Sequence, residues 1–213
     1  MILLTGFEPF GEDTVNPSWL AVRRASELLN AQGIAVEAVE LPCVFGESAT
    51  ALSDAMTRLN PDIVVCTGLA GGRGRISLER VAINCDDARI PDNKGQRPID
   101  EEVVPGGPAA YFSSLPIKAA LRNLQIAGIK GEVSQSAGTY VCNHIFYALM
   151  HSLAAKPGIR GGFVHVPYLP EQLPEGTAVP SMPLETMAEG IADIVRTALH
   201  AQADVKFSAG AIR

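Results

Sequence analysis

Pro61-Asp62-Ile63-Val64-Val65-Cys66-Thr67-Gly68 is a short apolar run closed by a proline at one end and a glycine at the other. A continuous apolar run of this length, bounded by turn residues, marks a strand buried on both faces. Upstream, residues 2–5 read as a second buried strand, and residues 34–41 alternate as a third. Asn16-Pro17-Ser18 supplies a helix start between them, with Asn16 as N-cap and Pro17 at the first helical position, where its missing N–H costs nothing. Residues 48–59 are helical by periodicity. Downstream, residues 75–84 read as a strand, followed by helix 116–127, strand 132–136, helix 142–155, strand 162–166 and helix 184–201. Strand and helix patterns therefore alternate almost from end to end. This predicts an α/β chain, a three-layer α/β/α sandwich with a mostly parallel central sheet, forming one domain over residues 1–213. Ligands bind such sheets beyond the carboxyl ends of the strands. That rule puts residues 6–11, residues 68–74 and the segments around 140 and 166 on one rim.

The chain of 213 residues is 47% hydrophobic and only 19% charged, which excludes a largely disordered polypeptide. Its net charge of −6 and lack of any long Lys/Arg run argue against nucleic acid as a partner, since phosphate-backbone affinity rests on clustered positive charge. No apolar stretch approaches the length needed to span a bilayer, so no membrane association is expected. The 4 cysteines, at 43, 66, 85 and 142, show neither the density of a disulfide scaffold nor a Cys-x-x-Cys spacing. A cytoplasmic protein with reduced thiols is the expectation, and no cofactor or metal site is foreseen.

Gly68-Leu69-Ala70-Gly71-Gly72-Arg73-Gly74 follows the buried strand and invites comparison with phosphate-binding loops. A P-loop requires Gly-Lys-Ser/Thr, and a dinucleotide fingerprint requires a helix to open within the motif. Strand-like residues follow instead, so a plain turn or a loop that lets backbone approach a substrate fits better. The next strand carries Glu79 and Arg80 between largely apolar faces. At a sheet edge these would be solvated charges. In a central strand Glu79 must be paired, because an isolated buried carboxylate is very costly, and such a group commonly orients another side chain. Residues 85–108, rich in Pro, Gly and charge, are too long for an ordinary connector and read as a functional segment or an extra hairpin turning at residues 91–95.

Ser136-Ala137-Gly138-Thr139-Tyr140-Val141-Cys142-Asn143-His144 puts a tight turn before an amphipathic helix, with Cys142 at or near the helix N-terminus. Free N–H groups and the positive end of the helix dipole favour thiolate there, and such sites lower a cysteine from about 8.5 into the range of about 3.5–7.5. A structural helix-start cysteine is the alternative. Cys66 reads as a small hydrophobe, and Cys43 and Cys85 have no base-like neighbour. Of the 4 histidines, His151 and His200 lie on helices away from the rim. His144 would point about 200° from Cys142 on the same helix. His165, near the end of a strand that Pro167 helps to terminate, is the better base, against the alternative of a satisfied core histidine. Nucleophile at a helix start, imidazole at a strand end and buried carboxylate together match the logic of acyl transfer.

Longer strings carry a family likeness: Thr5-Gly6-Phe7-Glu8-Pro9-Phe10-Gly11, Val15-Asn16-Pro17-Ser18, and residues 68–84, 136–143 and 163–170. In these the chain resembles the pyrrolidone-carboxylate peptidases (pyroglutamyl peptidase I), cysteine peptidases that remove an N-terminal pyroglutamyl group from peptides. The resemblance implies an α/β/α fold of the phosphorylase/hydrolase-like kind, commonly a homotetramer, and a catalytic set of Cys142, His165 and Glu79. It also implies that Phe7 and Phe10 line an apolar pocket for the pyrrolidone ring, with Ile90 and Val141 contributing and Arg89 near the oxyanion. Leu69 departs from the pattern, for many members have Gln there. Against this stand a phosphate- or nucleotide-binding enzyme built on the glycine loop, a non-catalytic assembly module of the same fold, and a metallohydrolase.

Overall fold

A computed structural model describes residues 1–211. The strands are β1 (Ile2–Phe7), β2 (Val36–Leu41), β3 (Ile63–Leu69), β4 (Ile76–Glu79), β5 (Val81–Ile83), β6 (Ala110–Phe112), β7 (Gly131–Ser134) and β8 (Arg160–Val166). The helices are α1 (Pro17–Ala31), α2 (Glu47–Leu59), α3 (Ile117–Ile126), α4 (Val141–Ala154) and α5 (Leu184–His200). Six strands form one sheet in the order β2-β1-β3-β8-β4-β7, and β5 pairs with β6 in a small separate ribbon. Strand alternation divides the core between two faces. Leu4, Val65, Val164 and Val166 pack under α1, α3 and α5, while Leu3, Val64, Cys66 and Phe163 pack under α2 and α4. The three layers and the mostly parallel sheet are those the sequence pattern predicts. Among the described residues, no helix is long and apolar enough to cross a membrane.

Two strands depart from the simple alternation. The pairs β2/β1, β1/β3 and β3/β8 are parallel, but β4 runs antiparallel to β8 and β7 runs parallel to β4. β7 thus runs away from the rim where β3 and β8 finish and ends at Ser134, level with the middle of β8. Residues 135–140 carry the chain back, pinned on the way by the Thr139 hydroxyl donating to the Asp87 carbonyl at 2.7 Å and the Asp87 N–H donating to the Thr139 carbonyl at 2.9 Å. The segment around 140 reaches the rim by this climb and not from the carboxyl end of a parallel strand.

The single strand expected over residues 75–84 is two. At Arg80 the N–H donates to the carbonyl of Ser134, the last residue of β7, while its carbonyl accepts from the N–H of Ser113, just beyond β6. The backbone is handed from the main sheet to the ribbon at that residue. No helix opens after the glycine loop, since residues 70–75 lead straight into β4, and the helix terminus a phosphate site would need is absent from this connection. Residues 85–108 contain no regular strand pair but fold back as an irregular hairpin about the expected turn, with Ala88 donating to the Pro98 carbonyl and Asp92 to the Gln96 carbonyl, both at 2.9 Å. They hold one isolated bridge, Asp86 to Glu101, and a tight turn in which Gly95 donates to the Asp92 carbonyl.

The α1 start is welded to the end of β1. Asn16 Oδ1 accepts from the Ser18 N–H at 3.1 Å and from its hydroxyl at 2.8 Å, and Ser18 Oγ accepts from the Phe7 N–H at 3.0 Å. This junction leaves no room for a side chain at Gly6, where a Cβ would stand 2.6 Å from the Trp19 Cα. Because the obstacle is helix backbone, Gly6→Ala is expected to lower the stability of the fold by about 1–3 kcal/mol, read as a lower urea midpoint at unchanged slope.

Candidate active site

Parallel pairing sets Gly68 of β3 beside His165 of β8, and antiparallel pairing sets Ser77 of β4 on the other side of His165. Glu79, two residues beyond Ser77, projects from the same face. Its Oε1 lies 2.7 Å from His165 Nδ1, with 0% of the Glu79 side chain and 5% of the His165 side chain exposed. Both residues are core residues by burial, and each has its partner. A carboxylate only accepts, so Nδ1 carries the proton and Nε2 is left to serve as base. Burial drives the Glu79 carboxyl upward, but the hydrogen bond and charge of His165, with Ser134 and Arg73, outweigh it and hold the group below the usual carboxylate range.

Cys142 is the second residue of α4, behind Tyr140 at the N-cap, whose side chain makes no capping bond. The N–H groups of the first turn therefore point outward from the helix end without a side-chain cap. A Cβ at Gly68 would lie 2.7 Å from Cys142 Sγ and 2.9 Å from Phe163 Cζ. Only glycine lets the sulfur rest against β3 at the residue paired with His165. The structure thus seats the thiol against the β3 residue that pairs with His165, and joins imidazole to carboxylate directly. The helix start favours thiolate, as the sequence implies, but burial pushes the Cys142 thiol up, with Cys43 and Glu79 adding and Arg73 opposing. The thiol consequently needs a base to take its proton.

His144, His151, Cys43 and Cys66 lie in other surroundings. His144 turns away from Cys142: its Nδ1 lies 2.7 Å from Asp86 Oδ2, and its Nε2 accepts from the Gly46 N–H at 3.1 Å. His151 meets the Tyr111 hydroxyl. Burial pushes the Cys43 and Cys66 thiols up to about 12. Among the described residues, no group of three or more His, Cys, Asp or Glu side chains converges to hold a metal.

Beside Cys142 lies a cavity of about 160 Å³, walled by Phe7, Phe10, Leu69, Tyr140 and Tyr168, with Asp13 its one charged lining residue among those described. Phe10 and Tyr140 tilt together with ring centroids 5.5 Å apart. Phe7 and Phe10, expected at an apolar pocket, both line this cavity. Val141 is fully buried in the core and backs Cys142 without lining the cavity. Arg89 and Ile90 lie outside the wall. The Pro91 carbonyl accepts from the Tyr140 hydroxyl at 3.0 Å, and Ile90 is 51% exposed. Sequence reasoning did not single out Tyr140, Tyr168 or Arg73. Tyr140 stands in the string that carries Cys142 and Tyr168 in the one that carries His165, and that adjacency is the signal that could have found both.

A thiol at a helix start, seated beside the strand pair that carries an imidazole bonded to a buried carboxylate, fits acyl transfer, and the chain is a cysteine-type hydrolase. Residues 1–201 match the family described as pyroglutamyl peptidase. The pyrrolidone-carboxylate peptidase of Streptomyces coelicolor is 53% identical over 99% of this chain and 98% of its own length. That of Cupriavidus taiwanensis is 51% identical over 98% and 97%. Among solved structures, pyroglutamyl peptidase I from Bacillus amyloliquefaciens superposes with a TM-score of 0.90 at 46% identity, covering 96% of this chain and 98% of that one. A mutant pyrrolidone carboxyl peptidase from Pyrococcus furiosus gives 0.84 at 42% identity, covering 93% and 97%. This chain belongs to the pyroglutamyl peptidase family.

The tight seat of the sulfur yields a direct test. Gly68→Ala is expected to fold but to displace Cys142 Sγ, slowing alkylation of Cys142 by iodoacetamide about 10-fold or more. Peptide mapping of the alkylated protein reads this, with Cys85 as internal reference.

Proposed function

We propose that this chain hydrolyses the N-terminal pyroglutamyl group from peptides through a thioester, with Cys142 as nucleophile, His165 as base and acid, and Glu79 as the group that orients His165. The observation that carries the reading is the 2.7 Å Glu79–His165 contact on the strand beside the Gly68 seat of Cys142, at the edge of a small, largely apolar cavity.

Pyroglutamate is a flat five-membered lactam without a free α-amine. It calls for apolar walls and a few hydrogen bonds, which aromatic rings on a tight turn can supply. In the first step His165 Nε2 takes the Cys142 proton as Sγ bonds to the pyroglutamyl carbonyl carbon. The carbonyl π pair moves onto oxygen, where the N–H groups at the start of α4 meet it. As the tetrahedral centre collapses, the C–N bond breaks and His165 gives its proton to the departing amine, leaving a thioester. Water then attacks, losing a proton to His165; the C–S bond breaks and the proton returns to sulfur. Burial of the thiol makes the first transfer matter, since little thiolate stands ready without the base. Phe7 and Phe10 hold the ring in this reading, with Ile90 and Val141 contributing and Arg89 near the oxyanion. Leu69 presents an apolar wall where many relatives are expected to carry an amide, so substrate contacts there are by packing.

Peptides bearing N-terminal pyroglutamate as substrates, a cytoplasmic location, a single catalytic domain and assembly as a homotetramer belong to the same proposal. Size-exclusion chromatography with light scattering checks the last.

The activity test is release of a fluorescent amine from a pyroglutamyl amide in reducing buffer with chelator, with a proline amide as control. Wild type is expected to turn over the pyroglutamyl amide alone. Cys142→Ala should fall to background, and Glu79→Gln should lose about 10²–10⁴ in kcat. Normal turnover by Cys142→Ala contradicts the proposal.

A further inference from the structure

We propose that Arg73 is a positioning residue for catalysis, a cation that shares the Glu79 carboxylate with His165 and so limits how tightly the imidazole is held as a cation. The inference rests on the function proposed above and gives the glycine loop its purpose.

Three features support it. Arg73 Nη1 and His165 Nδ1 both lie 2.7 Å from the same oxygen, Glu79 Oε1, while Oε2 is buried with no hydrogen-bond partner among the described residues. Two donors on one oxygen compete for its charge. A carboxylate offered to His165 alone would stabilise the imidazolium fully and make it a reluctant donor to the leaving amine. Second, the guanidinium is fixed from several sides: Nη1 reaches Ser134 Oγ at 3.4 Å and Nη2 donates to the Ser136 carbonyl at 3.3 Å. Arg73 therefore ties β4 to the climbing segment that delivers Cys142. Third, the loop is built to return this side chain. The Arg73 N–H donates to the Ala70 carbonyl, Gly72 takes a φ of 86°, and a Cβ at Gly71 would lie 2.6 Å from Tyr168. The motif that resembles a phosphate loop is in this light a turn that presents a cation to a carboxylate of the same protein.

Charged and titratable groups around Arg73 come from each neighbouring element: Glu79 on β4, Glu132 on β7, His165 on β8, Cys142 on α4, and Arg75 beside it on the loop. Removing the Arg73 charge raises the proton affinity of His165, which then faces the whole carboxylate. It also raises that of Cys142, whose thiolate Arg73 favours. Both changes move the onset of activity to higher pH.

The experiment compares Arg73→Gln, Arg73→Lys and, as a control for lost positive charge, Arg75→Gln. Profiles of kcat and KM against pH are measured on a pyroglutamyl amide, and alkylation of Cys142 by iodoacetamide is followed over the same pH range. Arg73→Gln is expected to lose about 10-fold or more in kcat with KM nearly unchanged, and to move the acid limb of both profiles upward by about half a pH unit or more. Arg73→Lys should restore the limb and part of kcat, and Arg75→Gln should match wild type. A Gln variant with the wild-type limb overturns the inference, whether its kcat is normal or is lost only in proportion to its folded fraction. Alkylation needs no substrate. A wild type that alkylates normally but leaves the amide uncut therefore sinks the proposed function alone, while an unshifted alkylation limb in Arg73→Gln sinks this one.

Discussion

Glu79 is completely buried on β4, between β8 and the edge strand β7, and the site around it is organised by the need to keep that charge in the core. Left alone the carboxyl would take up a proton, because burial penalises the ion heavily. It stays ionised because an imidazole from the neighbouring strand and a guanidinium from the preceding loop converge on one of its oxygens. The antiparallel pairing of β4 with β8 makes this possible, for it sets Ser77 beside His165 and brings Glu79 alongside the same strand. A parallel β4 would run the other way past His165. The reversal of two strands in an otherwise parallel sheet is thus tied to the chemistry of the site.

Close approach does for the thiol what ion pairing does for the carboxylate. The helix that carries Cys142 must come near enough to β3 for the sulfur to reach the strand beside His165, and a bare glycine at position 68 permits it. Gly161 serves the same packing lower down, where a Cβ would lie 2.4 Å from Leu153 at the far end of α4. Held at both ends, the helix fixes its N-terminal N–H groups relative to the imidazole, as an oxyanion site requires. Aromatic contacts brace the entrance, with Tyr140 packed against both Phe10 and Phe45.

Much of this was legible in the residues. Periodicity and turn chemistry marked the layers, and Cys142 and His165 stood out because one opens a helix and the other closes a strand. Glu79 was legible as an anomaly, a charge in an apolar strand that had to find a partner. The reversal of β4 and β7 was not, because alternation of strands and helices fits parallel crossovers equally well and four-residue strands carry no sign of direction. β6 escaped because Ala110-Tyr111-Phe112 is three residues long and follows a stretch of proline and glycine. Arg73 escaped because an arginine after glycines looks like any solvated loop charge until the turn that returns it to Glu79 is seen. Ile90 was placed at the pocket and Arg89 near the oxyanion by resemblance; neither lines the cavity beside Cys142, and next to them the Tyr140 hydroxyl donates to the Pro91 carbonyl.

The claim on which everything turns is that an acyl group passes through Cys142. The most direct measurement is intact-protein and peptide mass spectrometry of enzyme acid-quenched within its first turnovers of a pyroglutamyl amide. A pyroglutamyl adduct on the Cys142 peptide, labile to hydroxylamine and absent from Cys142→Ala, is the predicted result. Turnover with the adduct on another residue, or undiminished turnover in Cys142→Ala, would contradict it.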